Sequence, residues 1–492
     1  MPCSLLKPTA LALLLAFAGQ PTMAQPASAD AAMKIAAQKA ITTSPDVAAR
    51  LNQLRAAVDA MDIARAGWRL QVNLEASVGA ERNHLDGRNP ATQNQSRTGA
   101  ALSLNQLLWD GGALQHELGR LGHDKLARYF ELLDATEQTA LEAARAYQDV
   151  QRFRRLVALA EDSYVQHRYA LQQIQARFKA GVGRGVDNEQ ALARVALAES
   201  NLATEIANLH DVTARYARVV GEAPPPSMPA APNVGGAIPS SPADTMTAAL
   251  RDNAAVNAAI ENLRSARELV SERKGALQPR VEARVRGGGG HNFDGTTGLR
   301  NDGAAQIVLN WPLYDGGANQ ARIRQQTRLV DQAADLRDKA CRDVRQATAI
   351  AYNDTRKLQE QLAALDRNAL AIEKARDAYR QQFEIGQRSL LDLLNAENEL
   401  YTARRAYANA QFDLEIARLR TLAVMQRLTA HLGLAHVDVG PDVPEAQGWD
   451  AGTDVPQRCP VLVMDVQATP RTELDARAQR MMNNAPQGLP KR

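Results

Sequence analysis

Residues 104–112 read LNQLLWDGG, and residues 309–317 read LNWPLYDGG. The offset between them is 205 residues. The same offset lays Ala146-Tyr147-Gln148-Asp149 on Ala351-Tyr352-Asn353-Asp354, Phe178 on Phe383, Gly181 on Gly386 and Asp187 on Asp392. No gap is needed over more than 80 residues. Chance does not hold register that long, and self-similarity at a fixed distance marks a duplicated unit. Upstream the offset becomes 207, where LEASV at 74–78 meets VEARV at 281–285. The two-residue difference places loops of unequal length at about 82–97 and 288–302.

Each copy has the same parts in the same order. An Ala-rich helical stretch comes first, at about 30–66 and 243–274. Two alternating segments around a polar, Gly-rich loop follow, as hairpins over 70–109 and 277–314. An unbroken helical pattern then spans 112–180 and 317–385. A Gly-marked turn leads to one more helix, at about 187–220 and 390–433. Within the first long helix Val150, Val157, Tyr164, Leu171 and Phe178 recur every seven residues. Phe153, Ala160 and Ile174 form a companion stripe with His167 in register, and Leu358, Leu365, Ile372 and Tyr379 hold that stripe in the second copy. This spacing is a sustained helix–helix seam. Some 68 residues at ~1.5 Å each give a rod of roughly 100 Å. Two shorter helices stacked end to end match it, which suggests the wall of a cylinder.

The alternating segments are candidate membrane strands. In 71–78, Val72, Leu74, Ala76 and Val78 oppose Gln71, Asn73, Glu75 and Ser77. In 280–286, Val281, Ala283 and Val285 oppose Arg280, Glu282, Arg284 and Arg286. Residues 98–104 and 304–311 alternate similarly, and Trp109 and Tyr314 stand at strand ends, where interfacial aromatics belong. Four strands cannot close a barrel in lipid, because open edges leave backbone groups unsatisfied. Spanning strands therefore require a dimer or a trimer. Surface hairpins on a soluble helical protein are the competing reading.

Composition narrows the function. Lys plus Arg is 58 against 55 Asp plus Glu, so no basic excess exists to neutralise a nucleic-acid backbone. Residues 1–24 read as a secretory leader, with an apolar run Leu11 to Ala18 and small residues before a cleavage point after Ala24. No later apolar run is long enough for a membrane helix. Cys3 leaves with the leader. Cys341, on a helix, and Cys459, in the tail, read as two isolated thiols, since neither context brings them together. Gly287–Gly290 lacks the Lys and Ser/Thr of a phosphate loop, the eight His show no ligand spacing, and no nucleophile elbow is present. No catalytic residue, cofactor or metal is expected. Residues 221–242 are a Pro-rich linker or belt, and 436–492 a flexible tail.

With these parts assembled, residues 30–435 resemble the TolC family of outer-membrane channel proteins. The resemblance rests on the two-fold repeat, the junctions Asp110-Gly111-Gly112 and Asp315-Gly316-Gly317, and FEIGQRSLLDLLNAENELYTAR at 383–404. That stretch is most similar to members serving type I secretion of adhesins and RTX-type proteins. The resemblance implies an α+β membrane protein: a homotrimer with one 12-stranded barrel in the outer membrane, continued by a periplasmic α-helical coiled-coil tunnel and girdled by a belt from 221–242 and the segment after 433. It implies a periplasmic adaptor, an inner-membrane ABC transporter, outer-membrane lipid and an unfolded secreted protein as partners. It places the closed entrance at the turns Gly181-Val182-Gly183 and Gly386-Gln387, with Asp187 and Asp392 at one height. A second family aspartate falls on Asn395, and a gating tyrosine on Phe383. Arg388 keeps the gating arginine, with Asp187 as its expected partner. Small-molecule efflux with a proton-driven pump is the alternative within the channel class. A periplasmic coiled-coil adaptor is the alternative outside it.

Overall fold

A computed structural model describes residues 29–84, 86, 87, 89–292, 297–440, 449–464, 466 and 468–483. The expected leader, residues 1–24, lies outside the described residues. The chain runs α1 (Ala29–Thr43), α2 (Pro45–Ala66), β1 (Gln71–His84), β2 (Thr92–Trp109), α3 (Ala113–Lys179) and α4 (Gly185–Val220). A second round follows: α5 (Pro242–Asp252), α6 (Ala254–Gly275), β3 (Arg280–His291), β4 (Leu299–Asn310), α7 (Ala318–Glu384) and α8 (Leu390–Val424). Three short helices close it, α9 (Leu428–His431), α10 (Val455–Arg458) and α11 (Arg471–Asn483). The long helices α3 and α7 have 67 residues each and begin and end 205 apart.

Several expected boundaries move, for local reasons. The stretch expected as one helix over 30–66 breaks at Ser44, whose hydroxyl accepts from the Val47 N–H while Pro45 opens the next helix. The stretch over 243–274 breaks at Asn253, whose Oδ1 accepts from the Ala255 and Val256 N–H groups. The last helix, expected to reach 433, stops at Val424, and Gln426 takes a left-handed φ of 56° before α9. The hairpin loops are shorter than expected, because Arg82, Asn83 and His84 still pair with Asn94, Gln93 and Thr92.

The four strands form one antiparallel sheet in the order β1-β2-β3-β4, with β1 and β4 as open edges. Facing residues on neighbouring strands point to the same side. The register sets Val72 against Leu104, Leu104 against Val285, Leu74 against Leu102, and Ala283 against Ile307. One face is therefore apolar across all four strands. Leu74, Val78, Ile307 and Leu309 on it are more than half exposed in the single chain. The other face carries Gln71, Asn73, Glu75, Arg284, Arg286 and Gln306.

The main core lies between the sheet and the far helix turns. There Tyr147, Val150, Leu132 and Ala143 of α3 meet α1, α2, α5, α6 and the end of α8. Each fully buried Leu or Val contributes about 1.5–3 kcal/mol relative to exposure. The Pro-rich segment 221–242 is bonded to α3: carbonyls of Pro225, Pro226, Met228 and Pro229 accept from Arg154, Gln151 and Tyr147. Burial pushes the Tyr147 hydroxyl up to about 12, so it stays a neutral donor.

Two expectations about the C-terminal region are corrected. Cys341 and Cys459 are a disulfide, with Cα atoms 5.5 Å apart, and both are buried. The tail is not free throughout: Trp449 stacks edge-on against Phe130 of α3, and Arg345 donates to the Pro460 carbonyl. The pairing escaped a local reading because the two cysteines are 118 residues apart and meet only when the tail folds back.

Candidate functional site

The strand-to-helix junctions are built alike. Asp110 accepts from the Gly112 and Leu114 N–H groups through its two carboxylate oxygens, and Asp315 does the same for Gly317 and Asn319. Each aspartate satisfies N–H groups that the first helical turn leaves open and sits where the helix dipole favours a negative charge. Gly111, Gly112, Gly316 and Gly317 all have φ between 72° and 86°, a region that suits glycine. At Gly111 space is also short: a Cβ would lie 2.3 Å from Cβ of Gln278, next to β3. Near these junctions Trp68, Trp109, Trp311 and Tyr314 are exposed. Trp68 was not singled out from the sequence, and Trp311, expected as the last apolar residue of the alternating segment 304–311, lies just beyond the end of β4.

At the other end the two helix turns are hydrogen-bonded identically. The Val182 N–H reaches the Arg177 carbonyl and the Gly181 N–H that of Phe178; Gln387 reaches Gln382, and Gly386 reaches Phe383. This is a Schellman closure with glycine at the left-handed position, φ 76° at Gly181 and 79° at Gly386. Gly183 lies close over the turn, where a Cβ would sit 2.8 Å from the Phe178 nitrogen. Asp187 and Asp392 are each the third residue of the helix that follows. Asp392 takes part in a cap: Ser389 Oγ accepts its N–H and donates to its carboxylate at 2.9 Å.

The four helices that meet there share one apolar cluster: Leu171 and Ile174 of α3, Ala191 and Val195 of α4, Phe383 of α7, and Leu390, Leu393 and Leu394 of α8. Phe383 is a core residue of this cluster, and Arg177 lies over its ring at 4.6 Å. Arg388 does not meet Asp187 within the chain. It stacks over Tyr379 at 5.0 Å, donates to Gln382, and pairs with Asp392 at 3.7 Å. Asn395, where the resemblance expected aspartate, accepts from Arg194 of α4 at 2.8 Å.

Arginines join the two repeat copies along this region. Besides Arg177–Phe383 and Arg194–Asn395, Arg380 donates to Gln166, and Arg405 pairs with Glu205, whose side chain is almost fully buried. Arg376 and Arg380 both bind Glu397. A partly buried arginine fork is worth more than an exposed pair, which contributes about 0–1 kcal/mol. Sequence reasoning missed these links. Each is a single charge at the rim of a heptad stripe, and its partner depends on the four-helix arrangement. The arrangement holds the two helical hairpins together. Among the described residues no group of three His, Cys, Asp or Glu side chains is placed to hold a metal ion.

The profile of the outer membrane efflux protein family matches residues 36–222 and 246–425, one segment per repeat copy. The outer membrane efflux protein BepC of Brucella suis biovar 1 is 28% identical over 400 residues, covering 80% of this chain and 86% of that one. The alkaline protease secretion protein AprF of Pseudomonas aeruginosa is 32% identical over 157 residues, 30% of this chain and 32% of that one. The solved outer-membrane channel OprN shares the fold, with a TM-score of 0.72 at 20% identity over 80% of this chain and 90% of that chain. The two matched segments together span well over half the sequence and leave out the termini and residues 223–245. The chain belongs to the outer membrane efflux protein family and is a TolC-family channel protein of the outer membrane.

Proposed function

We propose that three copies assemble into one passive exit duct for an unfolded secreted protein. The observation that carries this reading is the four-stranded sheet with one apolar face and two open edges. Backbone groups at those edges need partners in lipid, and β4 of one copy beside β1 of the next supplies them. Three sheets of four strands then close a barrel of twelve, with outer-membrane lipid on the apolar face. The helices continue it as a tunnel through the periplasm. An inner-membrane ABC transporter and its periplasmic adaptor supply energy and opening. The adaptor docks at the helix turns, where Val182, Val186 and Ile385 are exposed.

Asp187 and Asp392 from three copies would ring the entrance, favouring cations over anions. Arg388 holds the closed state by leaving its own Asp392 for Asp187 of a neighbouring hairpin. The stretch 383–404 and the similarity to a secretion protein support protein cargo. Small-molecule efflux is the second reading, supported by the longer match to an efflux protein. Deleting the gene and comparing culture medium with drug susceptibility separates them. Loss of one large secreted protein with unchanged susceptibility supports secretion. An unchanged medium with several-fold greater susceptibility supports efflux.

A further inference from the structure

The tail crosses three helices. At one end Trp449 stacks against Phe130 of α3, with ring centroids 4.7 Å apart, and donates its Nε1–H to Glu261 of α6 at 2.8 Å. Glu261 also accepts from His123 of α3 and Arg264. Arg264 donates to the Asp450 carbonyl beside Trp449. At the other end Cys459 is bonded to Cys341 of α7, and Arg345 of α7 donates to the Pro460 carbonyl. Between the two ends Arg458 pairs with Asp454 and donates to the Ala451 carbonyl, closing the strand on itself.

The landing point on α7 is informative. The buried residues of α7 are Cys341, Val344, Thr348, Ala351 and Phe383. Four of the five lie within 341–351, where the tail arrives. The next one is 32 residues further on, at 383. So before Phe383, which is held in the cluster at the turns, α7 is buried at one place, and the tail is fastened there.

We propose that Trp449–Pro460 is a clasp that ties α7 to the α3–α6 pair within one copy. The clasp makes the sheet-proximal part of α7 one body with α3, while the stretch beyond Ala351 depends on its own contacts with α8 and the turn cluster. It acts through both anchors in series, so loss of either one opens it. The bond forms by oxidation of the two thiols, with a second disulfide accepting two electrons and two protons and leaving as two thiols, chemistry available to an exported chain. Because both cysteines are buried, the closed clasp is shielded from reductants and works as a permanent fastening. The inference uses only contacts within one copy, so it stands or falls independently of the trimer and of the cargo.

The test is amide hydrogen exchange on the full detergent-extracted chain, comparing wild type, Cys459→Ser, Trp449→Ala and the double variant. Each single variant is expected to speed exchange of the 338–352 amides by about tenfold or more, with 355–380 unchanged and the double variant no faster than the faster single. Wild-type protection at 338–352 in Cys459→Ser would overturn the clasp. So would a double variant whose acceleration is the product of the two singles, because that marks two independent contacts. If Cys459→Ser yields no folded chain, Trp449→Ala alone decides, since it keeps the disulfide: unchanged protection there overturns the series arrangement.

Discussion

Helices α3 and α7 are copies of one another, equal in length and ended by turns with the same hydrogen bonds, yet they live in different surroundings. In α3, 23 of 67 residues are buried; in α7 only five are. The repeat offset shows where the difference was written. Phe130, Leu132, Leu156 and Leu171 are buried in α3, and the equivalent positions of α7 are Asp335, Arg337, Gln361 and Arg376. Tyr147 and Tyr352 keep the same role, each donating its hydroxyl to a backbone carbonyl of the segment 221–242. At the turns the order inverts: Phe178 is 48% exposed and its counterpart Phe383 only 5%. One duplicated rod thus became the spine of the protomer and the other its rim. The rim is the face that a neighbouring copy would cover in the proposed ring.

Exchanging equivalent residues breaks this comparison most sharply. Leu156→Gln is expected to cost about 3–4 kcal/mol, from a lost apolar side chain plus an amide placed where nothing bonds it. The reciprocal Gln361→Leu is expected to stay within about 0.5 kcal/mol, as for an exposed position. Denaturant midpoints at constant slope measure both, and equal costs would show that the two rods are packed alike. Next in size is the inverted pair at the turns. Phe383→Ala should cost about 3 kcal/mol and expose the turns to protease, while Phe178→Ala should cost less than about 1 kcal/mol. Limited proteolysis of the two variants side by side reads this directly.

A pH effect sharpens the comparison through the clasp that holds the rim. Burial pushes the Glu261 carboxyl up, but His123, Trp449 and Arg264 together outweigh it and hold it below its ordinary value. A carboxyl depressed in the folded state stabilises fully above its unfolded value, about 4.3, and loses that contribution as pH falls through the folded one. Trp449 fluorescence should therefore report loosening as pH falls below about 4.3. Glu261→Gln should abolish the acid transition. The smallest effect is expected for Arg388→Ala. Its contacts are exposed and cost no more than about 1 kcal/mol. In the proposed entrance it raises single-channel conductance, and unchanged conductance and opening kinetics would remove that role.

Much of this architecture was legible because the repeat imposes its own register. The offset of 205 placed the ends of α3 and α7 within one residue of where they fall. Period-two alternation located all four strands, since only one face of each is apolar. The breaks at Ser44 and Asn253 were missed because a capping side chain inside an Ala-rich run does not disturb the apolar pattern around it. The disulfide and the Trp449 anchor were missed for another reason. They depend on a tail of loop-like composition lying across three helices, and no periodicity encodes such a path. At the turns the repeat put the glycines and the two carboxylates in register, and the resemblance supplied Arg388, whose partner within the chain is Asp392 and not the expected Asp187. The other arginine contacts were missed, because long side chains choose among several neighbouring helices.

The channel assignment and the proposed ring are tested together by planar-bilayer conductance of the detergent-extracted protein, with particle mass measured on the same sample. The expected result is a particle of three chains, each at most 53.4 kDa, giving discrete conductance steps. A monomer or dimer that gives no steps would contradict the account, leaving the sheet with its edges open and the rim of α7 without the neighbour proposed to cover it.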